Sequence, residues 1–422
     1  MDKKITPKNN ISGKITVPGD KSISHRALIL GAIADGITEI DGFLTGEDCL
    51  ATIDCLRKLG VKIEHSGDTV RIYGVGLHGL RRPKDMLYVG NSGTTLRLLT
   101  GLLAGQGFDC ALDGDESIRK RPMDRVIQPL SQMGANISGS HAPISINGAK
   151  LRGIEYKMPI NSAQVKSAIL LAALYAQDET VVEELEDGAT RNHTEKMMKH
   201  MGICLDISGK IVKHVGGKPR GCKIYVPDDF SSAAFFIVVG VLLAKDGLVI
   251  ENVGINPTRT GLIDILRQMG AEIEIDNCRL AGNEEVGDIY VRKSELEAVT
   301  LKGDIVPRMI DEVPIFAVAA AFAKGTTVIQ DAEELAVKES NRITAISLEL
   351  AKMGMKIEPK QDGMVIYGGM RPNGAVLDSH GDHRIAMALA IASTAAHSDS
   401  IIRNAQCVDV SFPGFFHILD SF

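Results

Sequence analysis

At 422 residues the chain predicts two or three domains, with two large ones as the expected arrangement, each able to bury its own core. Hydrophobic residues at 44%, charged residues at 24% and a mean hydropathy of +0.05 exclude a disordered or fibrous chain. The formal net charge of −6 argues against general attraction to nucleic acid or an anionic membrane, and 4% aromatics without Trp supply few stacking platforms.

Met1-Asp2-Lys3-Lys4 opens a basic segment without an apolar core, so no secretory signal is expected and the cytoplasm is the expected location. Apolar runs such as Phe235–Val239 fall far short of the roughly 18 residues a membrane span needs. Along the chain, a polar Gly/Ser/Asp-rich stretch runs into an Ala/Leu/Ile-rich segment six times, starting at Gly19, Gly90, Ile160, Pro227, Arg308 and His380. The spacings are 71, 70, 67, 81 and 72 residues. Each reads as helix, small-residue turn and strand, as in Ala34-Asp35-Gly36 and Ala323-Lys324-Gly325. A second marker, Leu/Met-Gly before an alternating strand, occurs at Gly60, Gly134, Gly202, Gly270 and Gly354, so one of six units is expected to be split or eroded.

Val-Pro-Gly-Asp at 17–20 returns as Val-Pro-Asp-Asp at 226–229, and both are read as crossovers between two three-unit halves. The expected domains are 19–227, and 1–18 with 228–422, the N-terminal strand closing the second. Helix N-termini opened by polar residues carry unpaired N–H groups, which predicts an anion site between the two domains.

The densest cluster, Gly19-Asp20-Lys21-Ser22-Ile23-Ser24-His25-Arg26, brings Lys21, Ser22 and Arg26 to a helix start, either as ligand groups or as a capped surface helix. Gly90-Asn91-Ser92-Gly93 is a turn of backbone donors entering a helix, with Arg97 one turn later. Arg119-Lys120-Arg121 is a cationic loop ended by Pro122, either solvated or anion-binding. Lys338 and Arg342 stand at i and i+4, on one helical face, with Glu339 between them, as a site or as a surface ion pair. Asp378–Arg384 holds two Asp and two His and reads as a metal site or, preferably, as an anion site at a helix start. Asp311 and Glu312 open a very apolar helix, where one serves as an N-cap or as a catalytic acid or base.

Gly74-Val75-Gly76-Leu77-His78-Gly79 matches GxGxxG, but Leu80-Arg81-Arg82-Pro83 follows where a dinucleotide fold needs a helix. No GxxxxGK[ST] or GxSxG occurs. The seven cysteines form no CxxC pair and are expected as reduced thiols in cores, without zinc.

Together the segments GDKSISHRALI, GNSGTTLRL, RKRPM, VKESNRI and GDHRIAMA resemble the enolpyruvyl transferase family, in the branch acting on shikimate 3-phosphate, over nearly the whole chain. The resemblance implies an α/β fold of two similar domains, each of three βαβαββ units forming an inside-out α/β barrel, with the active site in the interdomain cleft. It implies transfer of the enolpyruvyl group of phosphoenolpyruvate to the 5-hydroxyl of shikimate 3-phosphate through a tetrahedral intermediate, in chorismate and aromatic amino acid biosynthesis. No cofactor or metal is implied; the implied partners are the two small-molecule substrates, with no nucleic acid or membrane, on a monomer sensitive to glyphosate.

By the same resemblance, shikimate 3-phosphate is held by Lys21, Ser22, Arg26, Ser162, Gln164, Thr190, Arg191, Asp311 and Lys338. Phosphoenolpyruvate is held by Lys21, Asn91, Gly93, Arg121, Gln164, Arg342 and Arg384. Asp311 takes the proton of the attacking hydroxyl, Glu339 moves the proton at the methylene carbon, and Lys21 stabilises the departing phosphate. The sequence departs from the family pattern at Ala163, in place of a serine, at Ala336, where an arginine is common, and at Val410, where many members carry a lysine. The rival branch acts on UDP-N-acetylglucosamine and uses a cysteine where this chain has Glu116, with Cys110 six residues earlier. A non-catalytic phosphate-binding protein of the same fold is the second alternative.

Overall fold

The computed structural model describes residues 1–186 and 190–422. The six polar stretches of the repeat do start helices. Five central helices have a side-chain N-cap: Asp20 before Lys21–Ala32, Ser92 before Gly93–Ala104, Ser162 before Ala163–Ala173, Asp229 before Phe230–Leu243, and Asp382 before His383–Thr394. Each cap oxygen accepts a backbone N–H of the first turn, satisfying one of the orphan donors at a helix start. The remaining helix, Val313–Phe322, starts differently, with Pro314 in its first turn and a 3-10 turn, Ile310–Glu312, ahead of it.

The chain divides into two compact units, one of Met1–Pro18, Pro227–Leu280 and Glu284–Phe422, the other of Gly19–Val226 and Ala281–Asn283. In the second unit the Lys21, Gly93 and Ala163 helices are buried over almost their whole lengths and belong to one core. In the first, the Phe230, Val313 and His383 helices are equally buried and pack on one another. Helices apolar on all sides need burial all round, which is why they occupy the middle of each unit with the sheets outside them. Among the described residues no helix is long and apolar enough to cross a membrane.

Among the described residues the strands form six mixed sheets, five of four strands and one of three. Leu87–Tyr88, Gly93–Ala104, Cys110–Asp113, Asp124–Gln132, Asn136–Ser138 and Ile144–Asn147 trace one complete βαβαββ unit, its first two strands parallel and its last two an antiparallel hairpin. The helices inside and sheets outside are the inside-out arrangement expected, built from separate sheets: none of them closes on itself among the described residues, and three or four strands are too few to surround a filled interior.

The expectation of a single irregular unit is corrected. Lys223–Tyr225 supplies the first strand beside Asp35–Asp41, and Gly13–Ile15 does the same beside Leu248–Gly254, so two units take that strand from a distant part of the chain. The sixth unit stops after Ser400–Arg403, where Lys3–Ile5 pairs antiparallel and the chain ends in the helix Phe415–Asp420 instead of a hairpin. Phe412 and Phe415 seal that end against Phe236, with ring centroids 6.0 and 5.6 Å away.

At the crossover, a Cβ on Gly19 would sit 1.8 Å from the Gly42 carbonyl oxygen, so only glycine permits this approach of two backbones. Asp228 accepts the Val17 N–H at 3.0 Å, while burial pushes its carboxyl up to about 7. Two of the cysteines expected in cores, Cys204 and Cys278, are exposed, Cys204 at a solvent-facing position between buried Ile203 and Leu205 and Cys278 within the wholly exposed stretch Asp276–Leu280.

Candidate active site

Cations gather at helix starts in each unit. In the second unit, Lys21 is the first residue of its helix and donates to Asp48 Oδ2 at 3.1 Å. Arg26 lies deeper, 4% exposed, donating from Nη1 to the Ser22 carbonyl at 2.9 Å, from Nε to Thr194 Oγ1 at 2.6 Å and from Nη2 to Ser167 Oγ at 2.8 Å. Between them His25 turns into the core against Thr52, and burial together with Lys21 and Arg26 holds it well below the usual imidazole value, hence neutral near pH 7.

Arg121 donates to Asn91 Oδ1 at 2.7 Å and to Ser117 Oγ at 3.2 Å, and Asn91 in turn donates to Asp115. A Cβ on Gly93 would stand 3.0 Å from Arg121 Nη1 and 3.2 Å from Arg97 Nη1, so two guanidinium groups converge on the N-terminus of that helix. Arg97 donates to Gln164 Oε1 at 2.6 Å, and Gln164 Nε2 donates to Thr94 Oγ1 at 3.1 Å, which ties the starts of the Gly93 and Ala163 helices together. Arg119, of the same basic loop, turns instead to Asp113 at 2.5 Å.

Ser162 caps its helix through Val165 N–H at 3.4 Å. Thr190 gives both its N–H, at 3.1 Å, and its hydroxyl to Glu184 Oε1. Glu184 is itself paired at 3.2 Å with Lys166, a fully buried lysine that also meets Glu195 at 2.5 Å. Arg191 lies next to Thr190, half-buried.

In the first unit Asp311 lies on the 3-10 turn Ile310–Glu312 among three cations: Arg342 Nη1 at 3.4 Å, Lys338 Nζ at 3.7 Å and Arg384 Nη2 at 3.8 Å. Arg342 is 1% exposed. It donates from Nε to Asp382 Oδ2 at 2.8 Å and from Nη2 to Glu339 Oε2 at 2.6 Å. Burial opposes the charge of Arg342, and Asp382 and Glu339 outweigh it, holding the guanidinium firmly protonated. Burial likewise pushes the Asp382 carboxyl up, but Arg342 overrides it and the net direction is down. Lys338 also pairs with Glu334 at 2.7 Å.

Two local readings change. Lys338 and Arg342 do not share a helical face: Lys338 is extended at the end of the 3-10 turn Glu333–Val337, and the helix begins at Arg342 with Asn341 as its cap. Neither Asp311 nor Glu312 caps the Val313 helix with its side chain, because Asp311 faces the cations and Glu312 faces Ser231 and Arg384. In the Asp378–Arg384 segment the polar groups have protein partners, His380 with Glu349 at 2.9 Å and Asp382 with Arg342, while Asp382 also accepts the Arg384 N–H at 2.9 Å.

Asp48 and Glu184 carry no sequence signal of a place beside the site, whereas Arg97, one helical turn after the Gly93 turn, and Glu312, beside Asp311 at the start of an apolar helix, are both readable. Cys110, the thiol nearest the rival branch's nucleophile in sequence, has its pKa pushed up by burial to about 11, which denies it the thiolate such a role needs.

The sequence model of the family described as EPSP synthase (3-phosphoshikimate 1-carboxyvinyltransferase) matches residues 5–419. A protein of Thermoanaerobacter sp. strain X514 named 3-phosphoshikimate 1-carboxyvinyltransferase is 52% identical over 424 residues, covering 100% of both chains. One of the same name from Geobacillus kaustophilus is 53% identical over 420 residues, covering 98% of both. Among solved structures, an EPSP synthase from Acinetobacter baumannii superposes with a TM-score of 0.87 at 45% identity, covering 100% of this chain and 98% of that one. The enolpyruvyl transferase NikO from Streptomyces tendae shares the fold, with a TM-score of 0.80 at 17% identity, covering 99% of this chain and 96% of that one.

Proposed function

The chain belongs to the EPSP synthase family, and from that premise we propose which of its residues carry the family's reaction. The protein is a transferase of enolpyruvyl groups, acting on 3-phosphoshikimate in the shikimate pathway.

Both substrates are multiply charged anions, so bringing them together requires cations placed beforehand. In the proposal, Lys21, Ser22, Arg26, Ser162, Gln164, Thr190, Arg191 and Lys338 hold shikimate 3-phosphate, and Lys21, Asn91, Gly93, Arg121, Gln164, Arg342 and Arg384 hold phosphoenolpyruvate. Arginine forks suit the carboxylate and phosphate of the latter. Thr190 serves the phosphate once its donors leave Glu184.

Asp311 takes the proton of the 5-hydroxyl as its oxygen bonds to C2 of phosphoenolpyruvate. Glu339 delivers a proton to the methylene carbon, giving a tetrahedral adduct. Glu339, left deprotonated, then takes one proton back from the methyl carbon as the C–O bond to phosphate breaks, the proton held by Asp311 leaves with the phosphate, and Lys21 stabilises that leaving group. The observation that carries this reading is the Asp311 carboxylate set among Lys338, Arg342 and Arg384. A proton acceptor must sit beside the anions it serves, and those three cations supply that place.

The proposal extends to the two compact units as the family's two domains, and to a cytoplasmic monomer that binds no nucleic acid, the last supported by the net charge of −6. It also makes glyphosate an inhibitor competing with phosphoenolpyruvate.

Gly93→Ala tests the phosphoenolpyruvate assignment. Its methyl group, 3.0 Å from Arg121 Nη1, would displace that guanidinium or the anion on it. The expected result is a KM for phosphoenolpyruvate raised about tenfold, weaker inhibition by glyphosate, and an unchanged KM for shikimate 3-phosphate. An unchanged KM for phosphoenolpyruvate would remove Gly93 and Arg121 from the assignment, and a wild-type rate unaffected by millimolar glyphosate, with phosphoenolpyruvate near its KM, would remove the inhibitor.

A further inference from the structure

Glu312 is a fully buried carboxylate, 0% exposed, that neither caps its helix nor figures in the chemistry above. A buried carboxylate costs several kcal/mol of desolvation unless a charge and hydrogen bonds offset it. Here Oε1 accepts the Ser231 hydroxyl and lies 3.6 Å from Arg384 Nη1. Ser231 Oγ accepts from Arg259 Nη2 at 2.7 Å, and that nitrogen also donates to Asp229 Oδ1 at 3.1 Å. Because the serine oxygen accepts from Arg259, its proton is directed at Glu312. Ser231 and Arg259 are 3% and 2% exposed, so the whole chain of groups is dry.

The four residues come from four places. Ser231 is in the first turn of the Phe230 helix, Arg259 precedes the helix Gly261–Gln268, Glu312 precedes the Val313 helix, and Arg384 opens the His383 helix. Three central helix starts are thereby linked through one carboxylate. Arg384 Nη1 also donates to the Asp311 carbonyl at 3.1 Å, so the turn that carries Asp311 holds the same nitrogen from its backbone. Nη2 reaches Asp311 Oδ2 only at 3.8 Å. One corner of the guanidinium is anchored, and the Nε and Nη2 edge keeps the paired donors that bidentate recognition of an anion uses.

We propose that Glu312 is the positioning residue for Arg384, acting through the buried line Arg259–Ser231–Glu312 to aim that guanidinium at the carboxylate or phosphate group of phosphoenolpyruvate. The proposal rests on the assignment of Arg384 to phosphoenolpyruvate given above. It assigns no proton transfer to Glu312.

The test compares Glu312→Gln, Ser231→Ala, Arg384→Ala and the double variant Arg384→Ala/Glu312→Gln, by steady-state kinetics in both substrates, with a thermal melt of each. Glu312→Gln keeps the shape and an acceptor for Ser231 but removes the charge. Its KM for phosphoenolpyruvate is expected to rise about tenfold, the scale of a lost charge-assisted contact, with kcat and the KM for shikimate 3-phosphate within about twofold. Ser231→Ala is expected to shift the same KM by about threefold, and it decides the matter should Glu312→Gln fail to fold. On the Arg384→Ala background, Glu312→Gln is expected to add less than about twofold, because the group it positions is gone. If Arg384→Ala raises the KM for phosphoenolpyruvate while neither single variant does, the positioning role is wrong and the Arg384 assignment stands. If Arg384→Ala leaves that KM unchanged, the assignment fails and the proposal with it. Equal rises in both KM values with a lowered melt would show a structural role only.

Discussion

Replacing Arg342 with Met is expected to destabilise the first unit by about 3–5 kcal/mol and to remove measurable turnover. Arg342 is buried among Asp382, Glu339 and Asp311, and no other cation stands within hydrogen-bonding distance of both Asp382 and Glu339 among the contacts described above. Truncation leaves the 0%-exposed Asp382 as a buried charge without its partner. In the wild type Arg342 holds the folded-state pKa of Asp382 below its ordinary value. The stability from this pair is therefore fully present above the ordinary carboxylate pKa and is lost as pH falls through the depressed folded value. In the variant, burial and the neighbouring Glu339 charge raise the Asp382 pKa with no guanidinium to override them, so the penalty is greatest near neutrality and shrinks on acidification. Urea unfolding of both proteins at about pH 7 and about pH 4.5 is expected to show a gap that narrows at the lower pH. A gap that is constant or widens would mean that the lost stability comes from packing, not from the stranded carboxylate.

Asp311→Asn is expected to lower kcat by about 100- to 10,000-fold while both KM values stay within about threefold. The amide keeps the size of the side chain but cannot take the hydroxyl proton. The variant should fold, since the Asp311 side chain caps no helix and its partners Arg342 and Lys338 keep Asp382, Glu339 and Glu334. Stopped assays with both substrates saturating would measure it. A kcat above about a tenth of wild type would move the proton acceptor elsewhere, with Glu339 the next residue to replace.

The helix starts were legible because capping is local chemistry. Asp20, Ser92, Ser162, Asp229 and Asp382 each sit one residue ahead of an apolar segment, and their bonds reach only two or three residues onward. The family resemblance rested on the same segments. Contacts between distant segments left no such trace. Ser231, Arg259, Glu312 and Arg384 meet only in the folded unit, and Lys166 looks like any helical lysine until Glu184 and Glu195 enclose it. Lys338 and Arg342 misled for the opposite reason. The i, i+4 spacing assumed a helix, whereas the chain is extended at Lys338, and both cations reach Asp311 from separate elements. Sheet closure was likewise invisible, because a strand's neighbour is set by topology. Three of the six sheets among the described residues borrow a strand from far along the chain.

The most direct measurement is phosphate release by the purified protein with phosphoenolpyruvate plus shikimate 3-phosphate, run beside phosphoenolpyruvate plus UDP-N-acetylglucosamine. Release is expected with the first pair alone, with one enolpyruvyl product formed per phosphate. Release only with the second pair, or none with either while both anions still bind, would contradict the proposed reaction.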